Sequence, residues 1–124
     1  MERLNFAMED GTYRVEAEML LLGMDGCILI YGGDAPHIGA AAVGGGGMPP
    51  METVFPGHRE GEVVRDFREV IVGEGLLRHC VVCCGIHYDG ISKDGIGSVL
   101  ALCGQLLDEV RAELAKRRRP DGAA

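Results

Sequence analysis

Three of the four histidines of this chain stand in glycine-bearing loops, each with an acid two or three residues away. The first loop is Gly32-Gly33-Asp34-Ala35-Pro36-His37-Ile38-Gly39-Ala40, the second Pro56-Gly57-His58-Arg59-Glu60-Gly61, and the third Gly85-Ile86-His87-Tyr88-Asp89-Gly90. Loops held on a rigid scaffold are where binding and catalytic groups concentrate. Three chemistries follow from these residue types. An imidazole gains or loses its proton near pH ~6.5, so His37 or His87 could act as a general acid or base. Three imidazoles with Asp34, Glu60 or Asp89 could coordinate a metal, although each ligand would come from a separate loop and no His-x-x-x-His pair supports it. Basic residues beside helix starts could receive an anion.

In the first loop, paired glycines permit positive φ and close approach of a ligand. Pro36 fixes its own φ and biases Ala35 towards extended backbone. The same residues also make an ordinary hairpin connection with incidental polar side chains.

The anion reading rests on two helices expected to begin beside His58-Arg59 and beside Lys93. A free helix N-terminus favours negative charge, so cations there make sense if an anion is bound between them and the backbone amides. Alternatively, Glu60, Glu62 and Asp94 satisfy the helix ends and the cations are solvated. A covalent mechanism lacks a marked nucleophile, since Ser92 and Ser98 read as helix residues. The five cysteines, Cys27, Cys80, Cys83, Cys84 and Cys103, are odd in number and lie inside apolar runs, so they read as structural thiols. Cys80 and Cys83 sit on one strand and point to opposite faces, which prevents them from chelating one metal without a bend. His79 has no glycine context and reads as a surface or edge histidine.

These loops need elements to hold them. Leu4, Phe6 and Met8 alternate with polar or small residues, and Asp10-Gly11 is a turn signal. From Tyr13 to Leu21 the alternation continues as a second, half-exposed strand. Cys27 to Tyr31 reads as a third strand and Ile38 to Val43 as a fourth. Gly44 to Gly47 reads as a flexible surface loop or a mobile flap over a site; no Lys-Ser or Lys-Thr follows to make a phosphate-binding loop of it. Met51 to Phe55 is a short fifth strand. Glu62 to Glu74 reads as a helix with Val63, Val64, Phe67, Val70 and Ile71 as its apolar stripe and Arg65 and Arg68 on its wet face. Cys80 to Ile86 is a sixth strand, apolar enough to be central. Ser92 is the expected N-cap of a final helix whose stripe runs from Ile96 to Leu114. The class is therefore α+β: a mainly antiparallel sheet of about six strands with two helices on one face. Residues 1–119 are expected to form a single domain and 120–124 a disordered tail. Several strands are apolar on both sides, so a homodimer through the sheet is expected to cover the second face.

At 124 residues and 47% hydrophobic content the chain can bury one modest core. A net charge of -7 argues against nucleic-acid binding. The run Lys116 to Arg119 closes the last helix, where cations suit the dipole. No targeting segment or membrane span is visible, so a cytoplasmic location without membrane association is expected.

At the same three loops the chain resembles the LpdD-type proteins, which accompany gallate-type members of the prenylated-flavin-dependent decarboxylases. The quoted stretches are 32 to 40, 56 to 60 and 85 to 93, the last being Gly-Ile-His-Tyr-Asp-Gly-Ile-Ser-Lys. The resemblance runs from about the second strand to the last helix. It implies a chaperone that binds reduced prenylated FMN as cargo and helps load it into an apo-decarboxylase, without turnover of its own. It also implies a dimeric fold similar to proteasome assembly chaperones three and four. Which residues touch the cofactor does not follow from it. The loops supply the expected set: Gly33, Asp34, His37, His58, Arg59, His87, Tyr88, Asp89 and Lys93. An FMN phosphate would suit His58, Arg59 and Lys93, and Tyr31, Phe55 and Tyr88 are the aromatic residues nearest the loops. Two competing readings stay open: a small metal-dependent enzyme using His37, His58 and His87, and a protein-assembly module.

Overall fold

The computed structural model describes residues 1–117; the expected tail 120–124 lies outside them. The order is β1 (Glu2–Glu9), β2 (Arg14–Leu22), β3 (Asp25–Gly33), β4 (Ala40–Gly45), β5 (Met51–Val54), α1 (Gly61–Gly73), β6 (His79–His87) and α2 (Lys93–Arg117). The strands form a six-stranded sheet in the order β1-β2-β3-β6-β4-β5. All pairings are antiparallel except β3 with β6, which run parallel with Cys27 opposite Val81 and Gly33 opposite His87. This is the expected α+β class, with both helices on one face.

Period-two alternation decides which side chains meet the helices. Val15, Ala17 and Met19 of β2, Ile28 and Ile30 of β3, Ala40 and Ala42 of β4, and Cys80, Val82 and Cys84 of β6 are all buried on the inner face. α1 packs against β4 and β6, and α2 against β1 and β2. Phe67 and Ile71 of α1 and Leu106 and Val110 of α2 are fully buried there, each removing a side chain from water at a gain of roughly 1.5–3 kcal/mol. Ser92 caps α2 as expected, its Oγ accepting from the Gly95 amide at 3.0 Å. Arg117 ties the far end of α2 back to β1 through Glu2, at 2.6 and 2.8 Å.

Three local expectations are corrected. β4 begins at Ala40 rather than Ile38 and does not form a hairpin with β3, because β6 lies between them. The connection 34–39 instead crosses the end of β6, with the Asp34 amide donating to the His87 carbonyl at 2.6 Å and the Gly39 amide to the Cys84 carbonyl at 2.8 Å. This crossing explains two glycines. A Cβ on Gly33 would overlap the His87 carbonyl, and one on Gly85 would overlap the His37 carbonyl.

The run Gly44 to Gly47 is also not one loop. Gly44 and Gly45 are strand residues opposite Cys80 and His79, and only Gly46 and Gly47 turn away. The run sits at the His79 end of β6, opposite to the His87 end, so it is no flap over the loops. Gly44 leaves room for the stem of Arg68, which a Cβ would meet at 2.8 Å. Arg68 itself is not on the wet face: it is 5% exposed, donates to the Met51 carbonyl at 2.9 Å and pairs with Glu52 at 2.9 Å. Its neighbours on the short edge strand β5 supply the acceptors that a helical wheel cannot foresee.

Among the described residues, no helix covers the second face of the sheet. Leu29, Val43, Met51 and Val81 are exposed on it, with Cys27, Tyr31 and Cys83 half-buried among them.

Candidate functional site

All three loops meet at one end of the sheet. Parallel pairing of β3 with β6 puts the ends of both strands, Gly33 and His87, side by side. The crossover after β3 then lays His37 over Gly85, and the loop after β5 brings His58, Arg59 and Glu60 to the start of α1. Between them and the first turns of α2 lies a cleft of about 760 Å³. His37, His58, Arg59 and His87 line its polar side, while Val63, Ile86, Ile91, Ile96, Val99 and Leu100 make its apolar floor.

Glu60 is the centre of this arrangement. It is 8% exposed and makes no cap bond to its own helix. Its carboxylate turns towards the sheet instead, accepting from the Arg59 amide at 3.0 Å and the Ile86 amide at 3.1 Å. His37 Nε2 lies 2.7 Å from Oε2, and His58 Nδ1 lies 3.7 Å from Oε1. The His37 and His58 rings are tilted at 36° with centroids 4.8 Å apart. Gly39 is obligatory at this point, since a Cβ there would run into the Glu60 carboxylate.

His37 is thus partnered by Glu60, twenty-three positions away in sequence, and not by nearby Asp34. The Asp34 carboxylate joins the first loop to the third, its Oδ2 accepting from the Asp89 amide at 3.0 Å. His87 faces Asp89 at 2.9 Å. Tyr88 is fixed from the other side. Its hydroxyl accepts from the Arg14 amide and donates to the Arg14 carbonyl, both at 2.7 Å, while its ring meets Tyr13 edge-on at 5.0 Å. A hydroxyl held twice by backbone leaves the ring as a rigid wall of the cleft.

Of the nine expected residues, His37, His58, Arg59, His87 and Tyr88 line the cleft. Gly33, Asp34, Asp89 and Lys93 are not among its lining residues. Gly33 and Asp34 act on the backbone behind His87, and Lys93 is exposed at the start of α2. Tyr31 points to the open sheet face and Phe55 is 48% exposed outside the cleft, so Tyr88 is the aromatic wall. Sequence reasoning weighed Glu60 as a possible ligand or helix-end acid but left it out of the expected set. The signal for it was an acid beside a basic pair at a helix start. Of the apolar floor, Val63, Ile96, Val99 and Leu100 belong to the expected helix stripes, and Ile96, at 36% exposure, is where the α2 stripe opens to the cleft.

Cys84 lies beneath the site. Burial, then the neighbouring Cys103 and Glu60, push its thiol well above the usual range, so it is no nucleophile at neutral pH.

Residues 9–115 match the prenylated flavin chaperone LpdD-like domain. The chain belongs to that family. Protein LpdD of Lactiplantibacillus plantarum (strain ATCC BAA-793 / NCIMB 8826 / WCFS1) is 26% identical over 125 residues, covering 94% of this chain and 91% of that protein. Among solved structures, a chain of a novel chaperone complex for yeast 20S proteasome assembly superposes with a TM-score of 0.58, over 91% of this chain and 97% of that one, at 12% identity. That likeness establishes the fold, as expected from the resemblance. For a member of the LpdD-like family, the three loops that carried the resemblance are also the three that converge on the cleft. Among the described residues, no helix is long and apolar enough to cross a membrane.

Proposed function

We propose that this member of the prenylated flavin chaperone family binds reduced prenylated FMN as cargo in the cleft and hands it to an apo-decarboxylase, without turning it over. The observation that supports the reading is the composition of the cleft. One wall is aliphatic, from Ile86 to Leu100, and one rim carries Arg59 and three imidazoles. Ligand sites of this kind are mostly apolar with a few placed polar groups, and about 300–1,000 Å³ in volume. The prenyl-derived ring adds aliphatic surface to the flavin, which the floor accommodates. The phosphate calls for cations, and Arg59 enters no ion pair among the described residues, so its guanidinium can turn to an anion. In this reading His37, His58, Arg59, His87 and Tyr88 contact the cargo. Gly33, Asp34 and Asp89 shape the loops, and Lys93 adds positive potential at the mouth.

The exposed residues Leu29, Val43, Met51 and Val81 on the open sheet face support a homodimer as the working form. The cytoplasmic location expected from the sequence belongs to the same proposal.

Anaerobic titration with reduced prenylated FMN, beside reduced and oxidised FMN, tests the reading by absorbance. Reduced prenylated FMN is expected to bind at least about tenfold more tightly than oxidised FMN, and Arg59→Ala to weaken it by a similar factor. Equal affinity for oxidised FMN would sink the proposal. A substrate-independent protein partner, with binding indifferent to Arg59→Ala and His87→Ala, would favour an assembly module instead.

A further inference from the structure

We infer that His37, His58 and Glu60 form a binding site for a divalent first-row metal ion, with its open coordination positions turned to the cleft. The ligand atoms of these three residues all lie within 4.8 Å of one another. Around a tetrahedral ion with bonds of ~2.0–2.2 Å, ligands stand roughly 3.3–3.6 Å apart. His58 Nδ1 stands 3.7 Å from Glu60 Oε1, close to that spacing, while His37 Nε2, at 2.7 Å from Oε2, would draw back to admit the ion.

Hydrogen-bond accounting points the same way. His37 Nδ1 lies 2.9 Å from the Ala35 carbonyl oxygen, which can only accept. In the tautomer whose one N–H goes to that carbonyl, the Nε2 lone pair faces the Glu60 carboxylate at 2.7 Å, and a proton or a metal ion between them satisfies both. The rest of the geometry is that of a prepared ligand set. Metal-ligating histidines typically donate their other ring N–H to a backbone carbonyl, as His37 does to Ala35. The carboxylate of Glu60 is aimed by two backbone amides and is buried, while the His58 ring, packed beside that of His37, already turns Nδ1 towards it. Two imidazoles and one carboxylate suit Zn(II), Fe(II) or Co(II) and leave positions for an oxygen donor from the cleft. Of the thiols, Cys27 and Cys83 lie on the other face of the sheet, and Cys84, beneath the site, is fully buried in the core.

The ion would give the rim a second fixed positive charge beside Arg59, suited to a phosphate or an enolate-like oxygen. Metal binding itself does not depend on the flavin reading. It is tested without flavin, so failure here leaves the flavin titration standing, and the reverse also holds.

The experiment is a titration of tag-free, chelator-treated full-length protein with Co(II), followed by visible absorbance, with Zn(II) in competition. One ion per chain is expected, with the weak d–d bands of nitrogen and oxygen ligation. His58→Ala and Glu60→Gln are each expected to weaken binding by about tenfold or more, and His79→Ala, at the other end of β6, to leave it unchanged. His58 is exposed and its loss leaves the backbone bonds of Glu60 intact, so that variant stays folded even where Glu60→Gln does not. Failure to saturate, equal affinity in wild type and His58→Ala, or intense thiolate-to-cobalt charge-transfer bands would each overturn the inference. The first outcome would leave His37 and Glu60 joined by their hydrogen bond alone.

Discussion

Adding a single methyl group at Gly85 tests the crossover that builds the site. In a central strand, Gly→Ala would ordinarily help by restricting the unfolded chain. Here the new Cβ would overlap the His37 carbonyl, and flanking backbone atoms as well. The connection 34–39 must then lift by an ångström or more to regain van der Waals distance. Three interactions cannot follow it: Asp34 amide to His87 carbonyl, Gly39 amide to Cys84 carbonyl, and His37 to Glu60. The two backbone bonds contribute roughly 0.5–1.5 kcal/mol each and the charge-assisted one roughly 1.5–3, so Gly85→Ala is expected to cost about 2.5–6 kcal/mol. For a chain of this size that is a fall in Tm of roughly 10–20 °C. Urea denaturation followed by circular dichroism measures it, with Gly104→Ala as the matched change. Gly104 is an exposed residue of α2 with nothing within 4 Å of its would-be Cβ, and there alanine should stabilise by about 0.5–1 kcal/mol. If the two substitutions shift stability in the same direction, the crossover does not press on Gly85 and the site is not built as described.

The thiols give a second expectation. Burial pushes Cys103 up to about 12 and raises Cys80 and Cys84 as well, so with Ellman's reagent at pH 8 these three should stay unreactive until unfolding exposes all five thiols, while Cys27 and Cys83 react early only where the open sheet face is uncovered. Three or more fast thiols in the native protein would contradict the packing described. Third, Val81→Asp, placed at the middle of the open sheet face, should convert the proposed homodimer to a monomer in light scattering while leaving the circular dichroism spectrum unchanged; an unchanged mass would remove that face as the interface.

Much of the architecture was legible because it is local. Alternation in Tyr13 to Leu21, the Asp10-Gly11 turn and the Ser92 cap depend on neighbours a few residues away and stand, as do the helix stripes except at Val70, which is only half-buried, and Ile96, which is exposed. The insertion of β6 between β3 and β4 was not legible, because no property of Cys80 to Ile86 says which strands will flank it. That one pairing accounts for the other misses. It separates His37 from Asp34 and delivers it to Glu60, and it makes strand residues of Gly44 and Gly45. Arg68 failed for a different reason. A helical wheel assigns a face by angle, but the guanidinium reaches past its own helix to the carbonyl of Met51 on the edge strand.

The late position of β6 has a consequence for synthesis. When residues up to Val54 have emerged, the chain can close two local pieces, the β1–β3 meander and the β4–β5 hairpin, but neither has a partner for its inner edge. Both edges wait for a strand some twenty-five residues further on, and such long-range pairing is slow because loop closure precedes any reward. Until then the Val15 to Ile30 surface and the unpaired flank of β3 stand open to association with other chains. The cleft shares that timing: most of its floor comes from β6, the turn after it and α2, so no truncated form ending before Leu100 can possess it whole. The proposed cargo binding would therefore be absent from every fragment that ends before Leu100.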